Sequence, residues 1–145
     1  MTRITIRLPL QLFAALSILG FPLISSAYSQ GEMRQDCQAA EEIFAGQKSS
    51  DPFHAIRGAR CIAYVSGFAD GYSVSDYLAD KLGMQLNAFC LPDEGDLSLR
   101  LVRSALAQLD RTPPKSQVST ANILASAFSR TFPCPDTDIQ KKTDK

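Results

Sequence analysis

The sequence predicts an all-α fold: a small four-helix bundle, with room for an extra short helix, stapled by disulfides. Three observations carry that expectation. Apolar residues recur at three- and four-residue steps in four separate segments, no convincing apolar–polar alternation marks a strand, and four cysteines follow an apolar leader.

The leader is residues 1–27. Arg3 and Arg7 supply its positive start, residues 8–24 its apolar stretch, and Ser25-Ser26-Ala27 a small-residue cleavage site. A second cut after Ser29, read from Ala27-Tyr28-Ser29, is nearly as good. Pro9 and Pro22 interrupt the apolar stretch, which argues against a retained membrane anchor. No cysteine follows closely enough for a lipoprotein. The expectation is a cleaved signal peptide and a periplasmic protein with no stable membrane span. Residues 32–135 then read as one helical domain, and 136–145 as a polar, flexible tail. Losing Arg3 and Arg7 leaves 13 of the 15 basic residues against 15 acids. That balance offers no polybasic surface for nucleic acid.

The first helix is expected over 32–45, where Met33, Cys37, Ala40 and Phe44 form one apolar stripe and Gly46 supplies the stop. The second is expected to start at Asp51-Pro52 and run to Leu82. Cys61, Val65, Phe68 and Tyr72 line one of its stripes, and Tyr64, Gly67, Gly71, Val74 and Leu78 an adjacent one. Two adjacent stripes predict a central helix buried on more than half its circumference. Gly58, Gly67 and Gly71 weaken a helix by about 1 kcal/mol each against alanine, a cost tolerated where another backbone comes close. A connection follows over 83–92. Asp93 or Asp96 is expected to cap the third helix, with Leu99, Val102, Leu106 and Leu109 as its core stripe and Arg100, Arg103 and Asp110 off it. Thr112-Pro113-Pro114 ends it. Ser119 or Thr120 caps the fourth helix, with Leu124, Ala127 and Phe128 inward, and Phe132-Pro133-Cys134-Pro135 closes the ordered part.

Four cysteines allow three pairings, and sequence alone does not choose among them. An antiparallel bundle adds a constraint. Cys37 lies about 12 Å below the first corner and Cys61 about 14 Å down its far side, at 1.5 Å per residue. Cys90 precedes the third helix and Cys134 follows the fourth, and those two ends of a helical hairpin are neighbours. The expected bridges are Cys37–Cys61 and Cys90–Cys134. Spacings this wide do not resemble the close ligand pairs of a zinc site.

Little in the chain points to catalysis. His54 is the single histidine, expected at the surface in a first helical turn, and paired cysteines leave it no thiol to activate. Glu41 and Glu42 read as a solvated helix face, and Asp93, Glu94 and Asp96 as helix-start residues. No glycine-rich phosphate loop follows a strand. The expectation is a protein without enzymatic activity, metal or cofactor.

The segments Cys61-Ile-Ala-Tyr64-Val-Ser-Gly67-Phe-Ala-Asp70-Gly71, Phe89-Cys90-Leu91-Pro92, Ala127-Phe128 and Phe132-Pro133-Cys134, with Cys37 ahead of them, resemble the Rap/Tai family of periplasmic immunity proteins. That family protects bacteria from peptidoglycan-cleaving effectors of the type VI secretion system. The resemblance covers about residues 32–134. It implies a small helical bundle, related in fold to acid-stress chaperones of the periplasm, whose members commonly dimerise and block the effector's active-site cleft. The matched residues Tyr64, Gly67, Gly71, Phe89, Pro92, Phe132 and Pro133 fit structural roles. Asp70 is expected to cap a loop or to pair with an arginine.

Residues 93–96 and 112–118 depart from the family pattern, in loops of the kind that carry partner specificity. The functional expectation is therefore a binding protein that neutralises a cell-wall amidase or endopeptidase, with a homodimer left open. Its projecting loops would be 80–88, with Lys81, Met84, Gln85 and Asn87, and 113–118, with Lys115 and Gln117. Two other readings stay open: an acid-stress holdase chaperone, and an orphan envelope-binding scaffold without a toxin partner.

Overall fold

Four helices run in the order α1 (Gln30–Phe44), α2 (His54–Lys81), α3 (Leu97–Arg111) and α4 (Thr120–Thr131) in the computed structural model. It describes residues 28–93, 95–113 and 116–135, none of them in a strand. The leader, the tail and Lys115 lie outside the described residues.

Each helix end has a local chemical cause. Ser29 caps α1 with a reciprocal capping box: its Oγ accepts from the Glu32 N–H, and the Glu32 side chain accepts from the Ser29 N–H. The helix therefore opens two residues earlier than the apolar pattern alone suggests. Gly46, at φ +70°, stops it in the left-handed region. Asp51 takes the Phe53 N–H on its side chain, 2.9 Å away, and this turn postpones α2 to His54. Asp96 stands at the N-cap of α3 without a side-chain cap bond, whereas Ser119 accepts from the Asn122 N–H at the start of α4.

α1 and α2 form an antiparallel pair bridged by Cys37–Cys61, with Cα atoms 5.1 Å apart and both residues fully buried. α3 and α4 form a second hairpin, closed at its open end by Cys90–Cys134, where the Cys90 N–H also donates to the Phe132 carbonyl at 2.8 Å. The pairs join through α1 and α3. Arg34 ion-pairs with Asp110 and donates to the Leu109 carbonyl, and Arg103 pairs with Glu41 at 2.9 Å. Phe128 occupies the centre, with ring centroids of Phe68, Phe89 and Phe132 5.8, 5.5 and 6.0 Å away. Met33, Val65, Val102 and Leu124 are as fully buried beside it. Each such side chain contributes about 1.5–3 kcal/mol by leaving water.

Three expectations need correction. In α3 the inward stripe is Leu101, Val102, Ala105 and Leu109, while Leu99 and Leu106 are only half-buried. The face is rotated because α1 and α4 flank α3 from two sides, with Ser104 also buried and bonded to the Ala127 carbonyl. In α1, Phe44 is exposed, since the chain turns away immediately after it. In α2 the second stripe is not core: Gly67, Gly71, Val74 and Leu78 are exposed. Of the three glycines expected to admit a neighbouring backbone, Gly58 does so: an added Cβ there would lie 3.3 Å from the Ala40 Cα, while Gly67 and Gly71 meet nothing within 4 Å.

Candidate interaction surface

The length of α2 creates the surface. Its 28 residues extend about 42 Å. The helices packed on it have only 15, 15 and 12 residues and cannot cover it end to end. α1 lies against the N-terminal half around Cys61. Farther along, Phe68 meets Phe128, and Tyr72 stacks on Phe89 with centroids 3.9 Å apart. Beyond Tyr72 the helix continues as an arm on which Ala79 alone is buried.

That arm and the connection after it carry six large apolar side chains in solvent. Val74, Tyr77, Leu78, Leu82, Met84 and Leu86 are between 45% and 74% exposed. The connection is braced. Gly83 turns it at φ +73°, and Asn87 holds φ +45°, a conformation uncommon for a residue with a side chain. The Met84 N–H donates to the Ala79 carbonyl, the Leu86 N–H to Asp76 at 3.3 Å, and the Ala88 N–H to the Tyr72 hydroxyl at 2.7 Å. Tyr72 in turn is fixed by its stacking on buried Phe89. The apolar loop is thus tied to the core through one aromatic pair.

Acidic groups border the apolar side. Asp70 and Asp76 line an open cleft of about 490 Å³ with Tyr72 and Phe89. Asp76 and Asp80 line a second, of about 350 Å³, with Gln85 and Asn87. Contrary to expectation, Asp70 is exposed and, among the described residues, pairs with no arginine; α3 reaches the same cleft through Leu97, but its Arg100 guanidinium lies over the Phe132 ring. The Lys81 ammonium stands 5.0 Å from the Tyr77 ring centroid, a cation–π contact that keeps both side chains on the arm. Gly67 and Gly71 lie on the uncovered side, where an added Cβ would meet nothing within 4 Å.

The structure does not bring the two expected loop sets together. Lys81, Met84, Gln85 and Asn87 sit at the Cys90–Cys134 end, while Gln117 sits at the α3–α4 turn, the other end of that hairpin. There Gln30 donates to the Ser116 and Val118 carbonyls, at 2.9 and 2.8 Å, and ties the turn to the start of α1. The remaining motif residues are mostly structural. Phe89 and Phe132 are buried, Pro92 is half-buried, and the Tyr64 hydroxyl bonds Thr120 Oγ1 at 2.9 Å. Pro133 is exposed.

Two groupings escaped the sequence reading. The exposed apolar arm was hidden by its helical period, which matches that of a buried stripe; the signal that reveals it is the excess length of α2 over its neighbours. The other is a buried polar cluster. Asp36, 1% exposed, accepts from the Tyr28 hydroxyl at 2.6 Å and from Arg60 Nε at 2.5 Å. Burial first, and then the Asp36 carboxylate, push the Tyr28 phenol well above its ordinary pKa, and the bond to Asp36 raises that of Arg60. Asp36 and Arg60 each directly precede a bridged cysteine, which places them at one level of the α1–α2 pair.

Catalytic geometry does not emerge from these groups. His54, expected at the surface, is largely covered at the α1–α2 corner, with Nδ1 3.6 Å from Glu42 and Nε2 unbonded. It is enclosed because α1 and α2 converge there. Among the described residues no three His, Cys, Asp or Glu side chains are grouped to hold a metal, and no helix is long and apolar enough to cross a membrane. The arrangement suits surface recognition.

A family model described as Rap1a immunity proteins matches residues 29–134, from the cap of α1 to the last bridged cysteine. No curated protein and no solved structure matches the chain.

Proposed function

Since the chain belongs to the Rap1a immunity protein family, we propose that it is a periplasmic, non-enzymatic inhibitor of a peptidoglycan-cleaving effector delivered by type VI secretion. It acts by laying the arm of α2 and the 82–88 connection into the effector's active-site cleft. The observation that carries this reading is the braced array of Val74, Tyr77, Leu78, Leu82, Met84 and Leu86 in solvent. Interface cores are enriched in aromatic residues and methionine, and a few well-packed anchors supply most of the binding energy. Tyr77 is the best-placed anchor, held by Lys81 and lining a cleft with Asp76, Asp80, Gln85 and Asn87. Asp76 and Asp80 on the flank favour a partner surface with basic groups beside its apolar floor.

The open glycines support the same face. Among the described residues nothing gives Gly67 and Gly71 a packing reason to be glycine, and a partner backbone approaching that side supplies one. The exposed arm needs no protonation to appear, which favours binding near neutral pH over an acid-triggered holdase.

The test is to express a secreted cell-wall hydrolase encoded beside this protein in the periplasm, with and without it, and to follow lysis. Protection is expected, and Tyr77→Asp with Leu78→Asp should abolish it while leaving the fold intact. Equal lysis with and without the protein would count against immunity toward that enzyme. Protection untouched by the double variant would move the interface away from the arm.

A further inference from the structure

Two cleavage positions are compatible with the leader, after Ala27 and after Ser29, and the packing of Tyr28 and Ser29 separates them. Tyr28 is a structural residue. Its hydroxyl donates to buried Asp36, its ring meets the Tyr64 ring edge-on with centroids 4.9 Å apart, and the Arg60 guanidinium lies 5.4 Å from its centroid. Its carbonyl accepts from Thr120 Oγ1 at 3.2 Å, so one residue links α1, α2 and the first turn of α4. Ser29 is the N-cap of α1, and its carbonyl accepts from the Met33 N–H at 2.9 Å. A cut after Ser29 would remove the peg and the cap together. It would also leave Asp36, whose Oδ1 already lacks a partner, with Arg60 alone.

We infer that the signal peptidase cut falls between Ala27 and Tyr28, and that Tyr28 is the first residue of the mature protein. Water adds across the Ala27–Tyr28 amide, leaving a carboxyl group on Ala27 and an amino group on Tyr28. Ser25 and Ala27 are then the small residues read at the third and first positions before the cut. Cleavage here releases the chain with nothing ahead of the residue that completes the α1–α2–α4 junction.

The experiment is to express the full chain in a bacterium with an export pathway, purify the protein from the periplasm and determine its N-terminal sequence and intact mass. The expected product begins at Tyr28. A product beginning at Gln30 or elsewhere, or one retaining the leader, overturns the inference. A second measurement tests its physical basis. Chains exported behind an unrelated leader and engineered to begin at Tyr28 or at Gln30 are compared by thermal unfolding, and the shorter one should melt about 10 °C lower, having lost a cap and a bond to a buried carboxylate. Equal melting temperatures would remove the reason for preferring the first cut. Neither readout depends on effector binding.

Discussion

Methyl groups added at three glycines of one helix should act with opposite signs. Gly58 faces α1, where an added Cβ would lie 2.4 Å from Ile43 Cδ1 and 3.3 Å from both the Ala40 Cα and N. The Ile43 terminus is able to rotate away, being 38% exposed, but the Ala40 backbone is held to α2 one turn away by Cys37–Cys61. Overpacking of a fixed contact costs about 1–3 kcal/mol, against a gain of about 1 kcal/mol from replacing glycine in a helix. Gly58→Ala should therefore be net destabilising by about 1 kcal/mol. Gly67→Ala and Gly71→Ala meet nothing within 4 Å. Each should stabilise the fold by about 0.5–1 kcal/mol, because only the helix-forming gain remains. Urea unfolding monitored by circular dichroism, with m-values checked for constancy, reads all three. The same methyl groups at 67 and 71 stand on the open side of α2 and should weaken partner association. If Gly58→Ala stabilised the protein, or either of the other two destabilised it, the assignment of covered and open sides of α2 would be wrong.

Other consequences follow from the bridges and the polar cluster. Replacing Cys90 and Cys134 together by alanine should cost about 4 kcal/mol from the wider loop, and replacing Cys37 and Cys61 about 3.5 kcal/mol plus lost packing of two buried sulfurs, both readable as shifts in the urea midpoint. Tyr28→Phe should cost about 1–2 kcal/mol at neutral pH. Because the folded state holds the Tyr28 proton more tightly than the unfolded chain, its contribution is whole below about pH 10 and is lost as pH rises further; the variant should show a flatter alkaline limb in melts against pH. Glu32 behaves in the opposite sense. Hydrogen bonds from the Ser29 hydroxyl and backbone N–H lower its pKa, so the capping box stabilises at neutral pH and weakens as pH falls below the ordinary carboxylate range, an acid sensitivity that Ser29→Ala should reduce.

The number of helices was legible because each carries its own apolar period and its own stop, such as Gly46 and Thr112-Pro113. The bridges were legible because antiparallel helices around a corner leave few heights at which sulfurs can meet. Cys37 with Cys61 and Cys90 with Cys134 are the pairs at bonding distance. The fate of the second stripe of α2 was not legible. Val74 and Leu78 recur as core residues do, and period alone cannot tell whether a helix has neighbours on that side. That answer lies in the lengths of α1, α3 and α4, set by caps such as Ser29 and Ser119 and by where the loops turn. Nor could the position of Asp70 be read, since pairing depends on where another element directs its cations, and Arg100 of the neighbouring α3 turns to the Phe132 ring. Asp36 was missed because a buried acid has no periodic signature. Its neighbour Cys37 and the matching pair Arg60–Cys61 were the available clue.

The interface assignment is tested most directly by titration calorimetry of the oxidised protein against the purified effector domain, comparing wild type with Val74→Asp plus Leu78→Asp and with Gln117→Ala. The expected result is a Kd at least about 30-fold weaker for the α2 double variant, with no change for Gln117→Ala and unfolding midpoints preserved in both. Unchanged affinity in the double variant, or a loss confined to Gln117→Ala, would place recognition at the α3–α4 turn and contradict the role given to the arm.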